Sequence, residues 1–477
     1  MLVASVLAAL TLVSSALSEQ KVFNLDIVNA QLAPDGFMRE QVNSSTVVPN
    51  GTFPGPTFKL NKGDSVVIHT HNKHWHGFFQ ARTSAMDGPS YWYHSHLSTQ
   101  YCDGLRDPDD PLAHLYDVDD DSTIITLADW YRKRRLGARE LHPEFSPQIR
   151  IINASTTALI NGVGRYNGGQ LVPYAVISVK HGLRYRFRIF SLSCRPYMTF
   201  SIDNHTFDVM ELDGVEHDPT PFQNADIYAA QRLSIIVTAN QSIDNYWVVN
   251  PNLTLAILRY EGAAEVEPTT VNVPGAKLDD SLMHPIASEG PGKLGSGPPG
   301  FAMVLNISNT INPPFFDING IVSVPFIVYW LTIIQGKVVP ISLAPCLVAT
   351  TQRIPLPPNT IVDITIPGTG MHGHNFDVVV ETDAVTPNYV NPPRRDVVPI
   401  NGGNTTFRFF SGNPGEFLFY RLDSSPDIHI DWHLEAGLAV VFGESPSANI
   451  AGPQSQIQTP DWKQLCPTYD DLAPELQ

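Results

Sequence analysis

The sequence predicts an all-β protein that is built from several β-sandwich domains. Short runs rich in Val, Ile, Thr, Phe and Tyr recur along the chain, for example at residues 65–69, 185–190 and 233–238. Pro, Gly, Asn and Asp stand between such runs, and the chain contains 40 Pro and 33 Gly. Repeated short strands separated by turn residues are typical of β-sandwiches. At 477 residues the chain has room for about three domains, each with its own core.

Composition divides the chain at two places and excludes some partners. Candidate boundaries lie near residues 131–138 and in the Gly/Pro-rich stretch 268–300.

The formal net charge is −17, which argues against nucleic acid or an anionic membrane as a partner because both would repel the chain. The apolar run at residues 326–334 is too short to span a bilayer and is better interpreted as a core strand.

The N-terminal residues predict a secretory signal peptide. An apolar stretch at residues 1–13 is followed by small residues, with Ala16-Leu17-Ser18 as a cleavage site. A buried first strand or helix is the alternative interpretation. Passage through a glycosylating pathway fits eight Asn-x-Ser/Thr sequons, at Asn43, Asn50, Asn153, Asn204, Asn240, Asn252, Asn306 and Asn404. We therefore expect a secreted, extracellular glycoprotein.

Four histidine runs point to a metal site with several ions. They are His74-Trp-His76, His94-Ser-His96, His372-Gly-His374 and His429-Ile-Asp-Trp-His433. Residues i and i+2 of a strand lie on the same side, within reach of one ion or of two neighbouring ions. Imidazole suits copper, zinc, iron and nickel, and the scarcity of carboxylates disfavours magnesium, calcium and manganese. The alternative is that these are ordinary histidines of core strands.

The distribution of these runs suggests where the metal lies. Two runs stand in the front third of the chain and two in the last third, whereas the histidines between them are isolated, including those at 142, 181, 205, 217 and 284. This distribution predicts a metal site between the first and third domains.

Five longer stretches carry a resemblance to the fungal laccases, within the multicopper oxidase family. They are His74-Trp-His-Gly-Phe-Phe-Gln80, Tyr91-Trp-Tyr-His-Ser-His-Leu-Ser-Thr-Gln-Tyr-Cys-Asp-Gly-Leu-Arg106, Leu127-Ala-Asp-Trp-Tyr131, Asn391-Pro-Pro-Arg-Arg-Asp-Val397 and His429-Ile-Asp-Trp-His-Leu-Glu-Ala-Gly437. The resemblance implies three consecutive cupredoxin-like Greek-key β-sandwich domains, with the first against the third. We expect a signal peptide at 1–18 and domains at 19–132, 133–283 and 284–477.

The resemblance also implies copper and assigns ligands to it. By this likeness His74 would bind the type-2 copper, and the type-3 pair would be bound by His76, His94, His96, His372 and His429. His433 would be a type-1 ligand. The implied reaction is the oxidation of small phenolic or aromatic donors coupled to the reduction of O2 to water.

Other residues take roles only through this resemblance. Asp87 matches a carboxylate that supplies protons at the copper trio, and a turn aspartate before glycine is the alternative. Cys102 would form a disulfide with Cys194. Arg195 stands where the family often places a substrate-binding carboxylate, so the preferred donor does not follow from the sequence.

The chain departs from the family at two copper motifs. Asp427-Ile428-His429 replaces His-Cys-His, so the thiolate that defines a type-1 site is absent. Pro367-Gly-Thr-Gly-Met-His-Gly-His374 replaces His-Pro-Phe-His-Leu-His-Gly-His, which removes one type-1 and one type-2 ligand. The resemblance thus leaves six of eight ligands for the copper trio and one of three for type 1.

Two hypotheses follow from these departures. One is a secreted laccase-type oxidase; the rival is a catalytically impaired or non-catalytic copper-binding glycoprotein. A sibling oxidase that acts on metal ions or ascorbate is a third possibility. Missing segments in the first domain and unfamiliar runs at 326–353 and 416–428 border matching sequence on both sides. Such a pattern is typical of misplaced exon boundaries in a translated gene.

Overall fold

The computed structural model of the chain describes about half of its residues. These are residues 20–37, 46–57, 65–69, 74–76, 80–81, 83–84, 90–94, 106–108, 112–130, 157–166, 169–193, 197–250, 254–271, 273, 275–286, 298–311, 314–321, 353–367, 381–382, 392–395, 397, 404–411, 415–420 and 439–444.

The described residues of the N-terminal part form nine short strands. β1 pairs with β4 in parallel, β2 with β3 and β6 with β7 antiparallel, and β5, β8 and β9 form a three-stranded antiparallel sheet in the order β5-β8-β9. The strands are β1 (Gln20–Asn24), β2 (Ile27–Ala30), β3 (Thr46–Pro49), β4 (Ser65–His69), β5 (His74–His76), β6 (Gln80–Ala81), β7 (Thr83–Ser84), β8 (Ser90–His94) and β9 (Arg106–Pro108).

The middle of the chain is a β-sandwich of two larger sheets. Two 3-10 helices, Ala113–Leu115 and Asp121–Thr123, precede it and a third, Asp280–Leu282, follows it. One sheet has the order β11-β10-β13-β18-β15-β16 and the other β12-β20-β19-β14-β17. The strands are β10 (Ile124–Trp130), β11 (Thr157–Ile160), β12 (Val176–Val179), β13 (Arg184–Ser191), β14 (Tyr197–Ile202), β15 (Phe207–Leu212), β16 (Val215–Phe222), β17 (Asn224–Tyr228), β18 (Arg232–Thr238), β19 (Asn245–Asn250) and β20 (Thr254–Tyr260).

Alternating hydrophobicity explains why these segments form sheets. Val176 and Ser178 of β12 are exposed while Ile177 and Val179 are buried, which is the pattern of a strand with one face in water. β13 lies between β10 and β18, and all its residues after the first are buried. Both sheets contribute to one core, which includes Phe187, Ile235, Phe200 and Leu258.

Strand β10 ties the beginning of the chain to this sandwich. It lies before residue 132, yet it pairs antiparallel with β11 and parallel with β13. The six-stranded sheet therefore extends across the position at which the sequence suggests the first boundary.

The C-terminal part of the chain forms further sheets around a second core. A four-stranded sheet has the order β21-β25-β27-β26, a three-stranded sheet the order β24-β29-β28, and β22 pairs with β23. Leu356, Ile364, Phe407 and Val440 belong to this core. The strands are β21 (Phe301–Val304), β22 (Ile307–Ile311), β23 (Pro314–Ile318), β24 (Arg353–Leu356), β25 (Ile361–Ile366), β26 (Glu381–Thr382), β27 (Thr405–Phe410), β28 (Gly415–Tyr420) and β29 (Ala439–Glu444).

These sheets confirm the predicted all-β class. The three helices of the described residues are single 3-10 turns, and none is long and apolar enough to cross a lipid bilayer. The run at residues 326–334 lies outside the described residues.

A buried ion pair joins two strands of the C-terminal core. Asp363 on β25 is the register partner of Arg408 on β27, and the Arg408 guanidinium donates to both carboxylate oxygens, at 2.7 and 2.9 Å. Both residues are buried. A buried ion pair contributes little more to the free energy of unfolding than well-packed apolar residues of similar volume would. The loss of one partner, however, leaves an uncompensated buried charge.

We expect Arg408→Ala to destabilise this part of the protein by about 3–5 kcal/mol, because the Asp363 carboxylate stays buried without its cation. The double variant Asp363→Leu/Arg408→Met should have a free energy of unfolding closer to that of the parent, since it removes both charges. Urea denaturation followed by tryptophan fluorescence measures both variants. Equal losses for the single and the double variant would contradict the ion-pair explanation.

Candidate metal centre

The strand register brings three of the predicted metal-binding histidines onto one face of a sheet. His74 on β5 is the direct partner of His94 on β8, and His76 is the partner of Trp92. Directly opposed residues of an antiparallel pair share a face, with Cα atoms about 4.5–5.5 Å apart. His76 follows His74 by two positions and therefore lies on that face as well.

The register places these three positions on neighbouring strands, as a shared metal site would require. Three imidazoles on neighbouring strands can approach one ion or two adjacent ions, and imidazole is a preferred copper ligand. The association of the first two histidine runs around copper stays a prediction. His96 follows His94 by two positions, but it lies outside the described residues.

The remaining predicted site residues also lie outside the described residues. They are Asp87, Cys102, Cys194, Arg195, His372, His429 and His433. Among the residues whose side chains are described, no group of three or more His, Cys, Asp or Glu could hold a metal ion. The copper assignments of these positions therefore stay predictions.

The structure reveals a contact that the sequence did not suggest, between residues 392–397 and the middle sandwich. We call it the clasp, and it comprises Asp213, His217, Gln231, Asp280, Arg394, Arg395 and Val397. Its central residue, Asp213, is buried and occupies the two-residue turn between β15 and β16 together with Gly214. Positive φ angles of 51° and 86° at this pair give the Asp-Gly turn typical of tight hairpins.

Charge-assisted hydrogen bonds hold the two sides of the clasp together. The Arg395 Nε donates to Asp213 Oδ2 at 3.0 Å, and the Arg395 guanidinium also pairs with Asp280. The backbone N–H of Val397 donates to Asp213 Oδ2 at 3.3 Å. Gln231 Nε2 donates to the Val397 carbonyl at 3.1 Å. Because Asp213, Gln231, Arg395 and Val397 are buried and paired, the clasp fixes the position of residues 392–395 and 397 on the sandwich.

A buried neutral histidine completes the clasp. His217 on β16 is fully buried; its Nδ1 lies 2.8 Å from the Val215 carbonyl, which can only accept. Its Nε2 therefore accepts from the Arg394 backbone N–H at 3.2 Å. Burial, with further contributions from Arg395, Arg394 and His284, lowers the pKa of His217 to about 3. The ring stays neutral, which its role as an acceptor requires.

A sequence signal for the clasp did exist in the Pro-Pro-Arg-Arg run. Two adjacent arginines behind two prolines are unusual in a buried segment, since arginine is rarely buried unless it is paired. The sequence did not reveal the partners, because Asp213 lies 182 positions from Arg395.

Family models match three parts of the chain. Each of the three is a multicopper oxidase model, and they match residues 33–91, 121–263 and 344–448.

Curated relatives match nearly the whole chain. Laccase-2 of Agaricus bisporus is 52% identical over 528 aligned positions, which cover 98% of each chain. Laccase-1 of Trametes villosa is 40% identical and covers 100% of this chain and 99% of its own. The 528 aligned positions exceed the 477 residues of the chain, so the relative contains residues without a counterpart here.

Solved structures show the same fold. The laccase of Botrytis aclada superposes with a TM-score of 0.73 at 23% identity, covering 96% of this chain and 93% of its own. Fet3p, described as a multicopper oxidase that functions in iron import, superposes with a TM-score of 0.71 at 20% identity, covering 96% and 98%. This likeness confirms the predicted cupredoxin-like fold class.

We expect acid to weaken the protein through His217. Between pH 6.5 and 3 the His217 side chain is protonated in the unfolded chain but stays neutral in the folded chain. The contribution of His217 to the free energy of unfolding is therefore fully present above pH 6.5 and decreases as the pH falls toward 3. The loss is at most about 1.4 kcal/mol per pH unit. His217→Gln should be less stable than the parent at pH 7 and lose less on acidification, as measured by denaturation midpoints from pH 7.5 to 4.5.

His181, which is exposed, supplies the matched control. His181→Gln should follow the parent over this pH range. If His217→Gln and the parent show the same pH dependence, His217 is not the group that limits stability in acid.

Proposed function

The chain belongs to the multicopper oxidase family, and from this premise we propose a secreted laccase that oxidises small phenolic or aromatic donors and reduces dioxygen to water. Four one-electron oxidations balance one dioxygen, which takes up four electrons and four protons to give two water molecules. The observation that supports this proposal most directly is the 52% identity to a laccase over 98% of both chains. Copper is the cofactor that the family implies.

The residues present fit part of the copper machinery. His74, His76 and His94 share one sheet face, and His96 extends the same alternation. We assign His74 to the type-2 copper, and His76, His94, His96, His372 and His429 to the type-3 pair. Bound copper would accept electrons singly from the donor and supply them to dioxygen.

Two further residues act around this centre in our proposal. Asp87 supplies protons to the oxygen side, a role that needs a carboxyl group linked to solvent. Arg195 belongs to the donor pocket in this proposal, at the position where the family often has a carboxylate, and it leaves the preferred donor undetermined. A disulfide between Cys102 and Cys194 ties the first domain, 19–132, to the second, 133–283, and the third extends over 284–477.

Secretion is part of the same proposal. An apolar stretch at residues 1–13 and eight sequons support entry into a glycosylating pathway. The sequon asparagines Asn50, Asn204, Asn240, Asn306 and Asn404 lie in the described part of the chain and are all exposed. Exposure is the condition that a modified asparagine must meet in the folded protein.

One observation favours a second candidate, a copper-binding glycoprotein without laccase turnover. Ile428 stands where the family has its type-1 cysteine, and isoleucine offers copper no donor atom. Asp427 and Pro367 occupy two more histidine positions of the family motifs. The type-1 group does not fit these residues, so we derive no electron transfer through it for this sequence.

Copper stoichiometry combined with oxygen uptake separates the two candidates. A laccase consumes oxygen in the presence of a phenol such as 2,6-dimethoxyphenol, whereas the second candidate binds copper without that consumption. A protein that binds no copper at all would contradict both.

We expect His94→Ala to weaken copper binding at least ~10-fold, because an imidazole of the donor set is lost. His96→Ala should act in the same way. His69→Ala is the matched control, since His69 on β4 matches no ligand position of the family and should leave copper content unchanged. Copper per chain is measured by atomic absorption after dialysis. Unchanged copper content in His94→Ala, with unchanged thermal stability, would favour ordinary core histidines.

We also expect a protein of this sequence to lack the intense blue absorption that a copper thiolate gives, since that absorption requires the cysteine ligand that Ile428 replaces. Ile428→Cys alone should not restore phenol oxidation, because Asp427 and Pro367 still lack donor nitrogens. A chain with both motifs rebuilt and the missing first-domain segment returned should oxidise phenols. Substantial turnover from Ile428→Cys alone would show that the ligands do not act as a unit.

A further inference from the structure

A cleft of about 610 Å³ opens at one end of the middle sandwich, far along the chain from the histidine runs. Its walls come from β14, β15, β17 and β18, from the loops that follow β14, β16 and β18, and from residues 273 and 275. The lining is mainly polar, with Thr199, Ser201, Thr206, Asp208, Asn224 and Gln241 among its members. Ile202, Ile236 and Val273 add apolar surface.

Two sequon asparagines line this one cleft. Asn204 of Asn-His-Thr206 lies in the turn between β14 and β15, and Asn240 of Asn-Gln-Ser242 follows β18. They meet because β15 and β18 pair antiparallel, with Asp208 opposite Ile236. The beginning of β15 and the end of β18 therefore lie at the same end of the sheet. Both asparagines are exposed.

A single tyrosine hydroxyl links the two sequons. His205 Nδ1 lies 2.7 Å from the Asp203 carbonyl, so this nitrogen carries the proton and Nε2 accepts from the Tyr260 hydroxyl at 2.8 Å. The same hydroxyl accepts the Gln241 backbone N–H at 3.2 Å. Burial raises the pKa of Tyr260 to about 12 and lowers that of His205, so both hydrogen bonds persist at neutral pH. The central residues of both sequons are thus fixed to each other.

We propose that N-linked glycans on Asn204 and Asn240 place their first N-acetylglucosamine residues in this cleft. The hydroxyl and amide groups of the lining suit the sugar hydroxyls and the acetamido group, and the apolar residues suit its methyl group and C–H face. Asn204 has a φ of 59°, a left-handed conformation that asparagine tolerates better than most residues. The turn therefore presents this asparagine at the rim without strain.

The covalent step is an ordinary N-glycosylation from a lipid-linked oligosaccharyl diphosphate. The asparagine Nδ2 forms a bond with the anomeric carbon of the sugar and loses one proton to solvent. The bond from that carbon to the diphosphate oxygen breaks, and the diphosphate leaves with the electron pair. Nothing is oxidised or reduced.

The test uses the full chain secreted from a eukaryotic host. Mass spectrometry of glycopeptides should find glycans on Asn204 and Asn240. Asn306, an exposed sequon asparagine in the C-terminal part, is the internal standard for entry into the pathway. An endoglycosidase that cuts between the first two N-acetylglucosamines should cleave several-fold more slowly at Asn204 and Asn240 than at Asn306 in the native protein. After denaturation the three rates should be equal.

Variants sharpen this comparison without changing the asparagines. Thr206→Ala and Ser242→Ala each remove one sequon and leave the backbone of Asn204 or Asn240 as it is, whereas Thr206→Ser and Ser242→Thr retain the sequons. Hydrogen exchange of β14 amides should become several-fold faster in Thr206→Ala and stay unchanged in Thr206→Ser. Tyr260→Phe should reduce the protection from the endoglycosidase, since His205 and Gln241 lose their common partner.

The possible failures are distinguishable. A glycan at Asn306 with none at Asn204 or Asn240 overturns the cleft proposal and leaves secretion intact. Glycans that are cleaved equally fast at all three sites in the native protein overturn it too. The absence of glycans at every sequon overturns the proposal together with the proposed secretion, while leaving the copper and oxygen measurements unaffected.

Discussion

The buried carboxylate of Asp213 is the contact on which the relation between the middle sandwich and the C-terminal part depends. One of its oxygens accepts the Arg232 backbone N–H at 2.8 Å, and the other accepts from Arg395 and Val397. A buried carboxylate is stable only when such donors satisfy it, so each of these bonds requires the others. Loss of Arg395 would remove two of the donors to this carboxylate and leave Arg232, whose Nη1 lies 3.9 Å from Asp213 Oδ1, as a cation beside it.

This constraint bears on the proposed copper centre. Residues 392–397 lie between His372 and the histidines at 429 and 433, in the part of the chain expected to supply ligands from the third domain. The clasp anchors residues 392–395 and 397 of that part to the sandwich. Ligands on the two sides of a multinuclear site need such support, since small displacements weaken metal binding.

Local patterns predicted much of the fold, and contacts between distant segments escaped prediction. The runs at 65–69, 185–190 and 233–238 were predicted as strands and correspond to β4, β13 and β18. Alternation placed His74 and His76 on one face, and the structure added His94 through the pairing of β5 with β8. No local pattern reveals that Arg395 donates a hydrogen bond to Asp213, or that the Tyr260 hydroxyl bonds to the central residues of two sequons. These partners come into contact only after the sheets have formed.

The insertion of β10 between β11 and β13 determines the order in which the chain can fold during synthesis. β10 must wait for β13, about 60 residues later, and β12 must wait for its parallel partner β20, with Val176 opposite Ile257. Parallel pairs of this kind close long loops before any contact compensates for the lost entropy. The sandwich therefore cannot be completed until Tyr260 has left the ribosome. The edge of β10 stays exposed to chaperones and to other nascent chains until Ser191 has emerged, and that of β12 until Tyr260 has emerged.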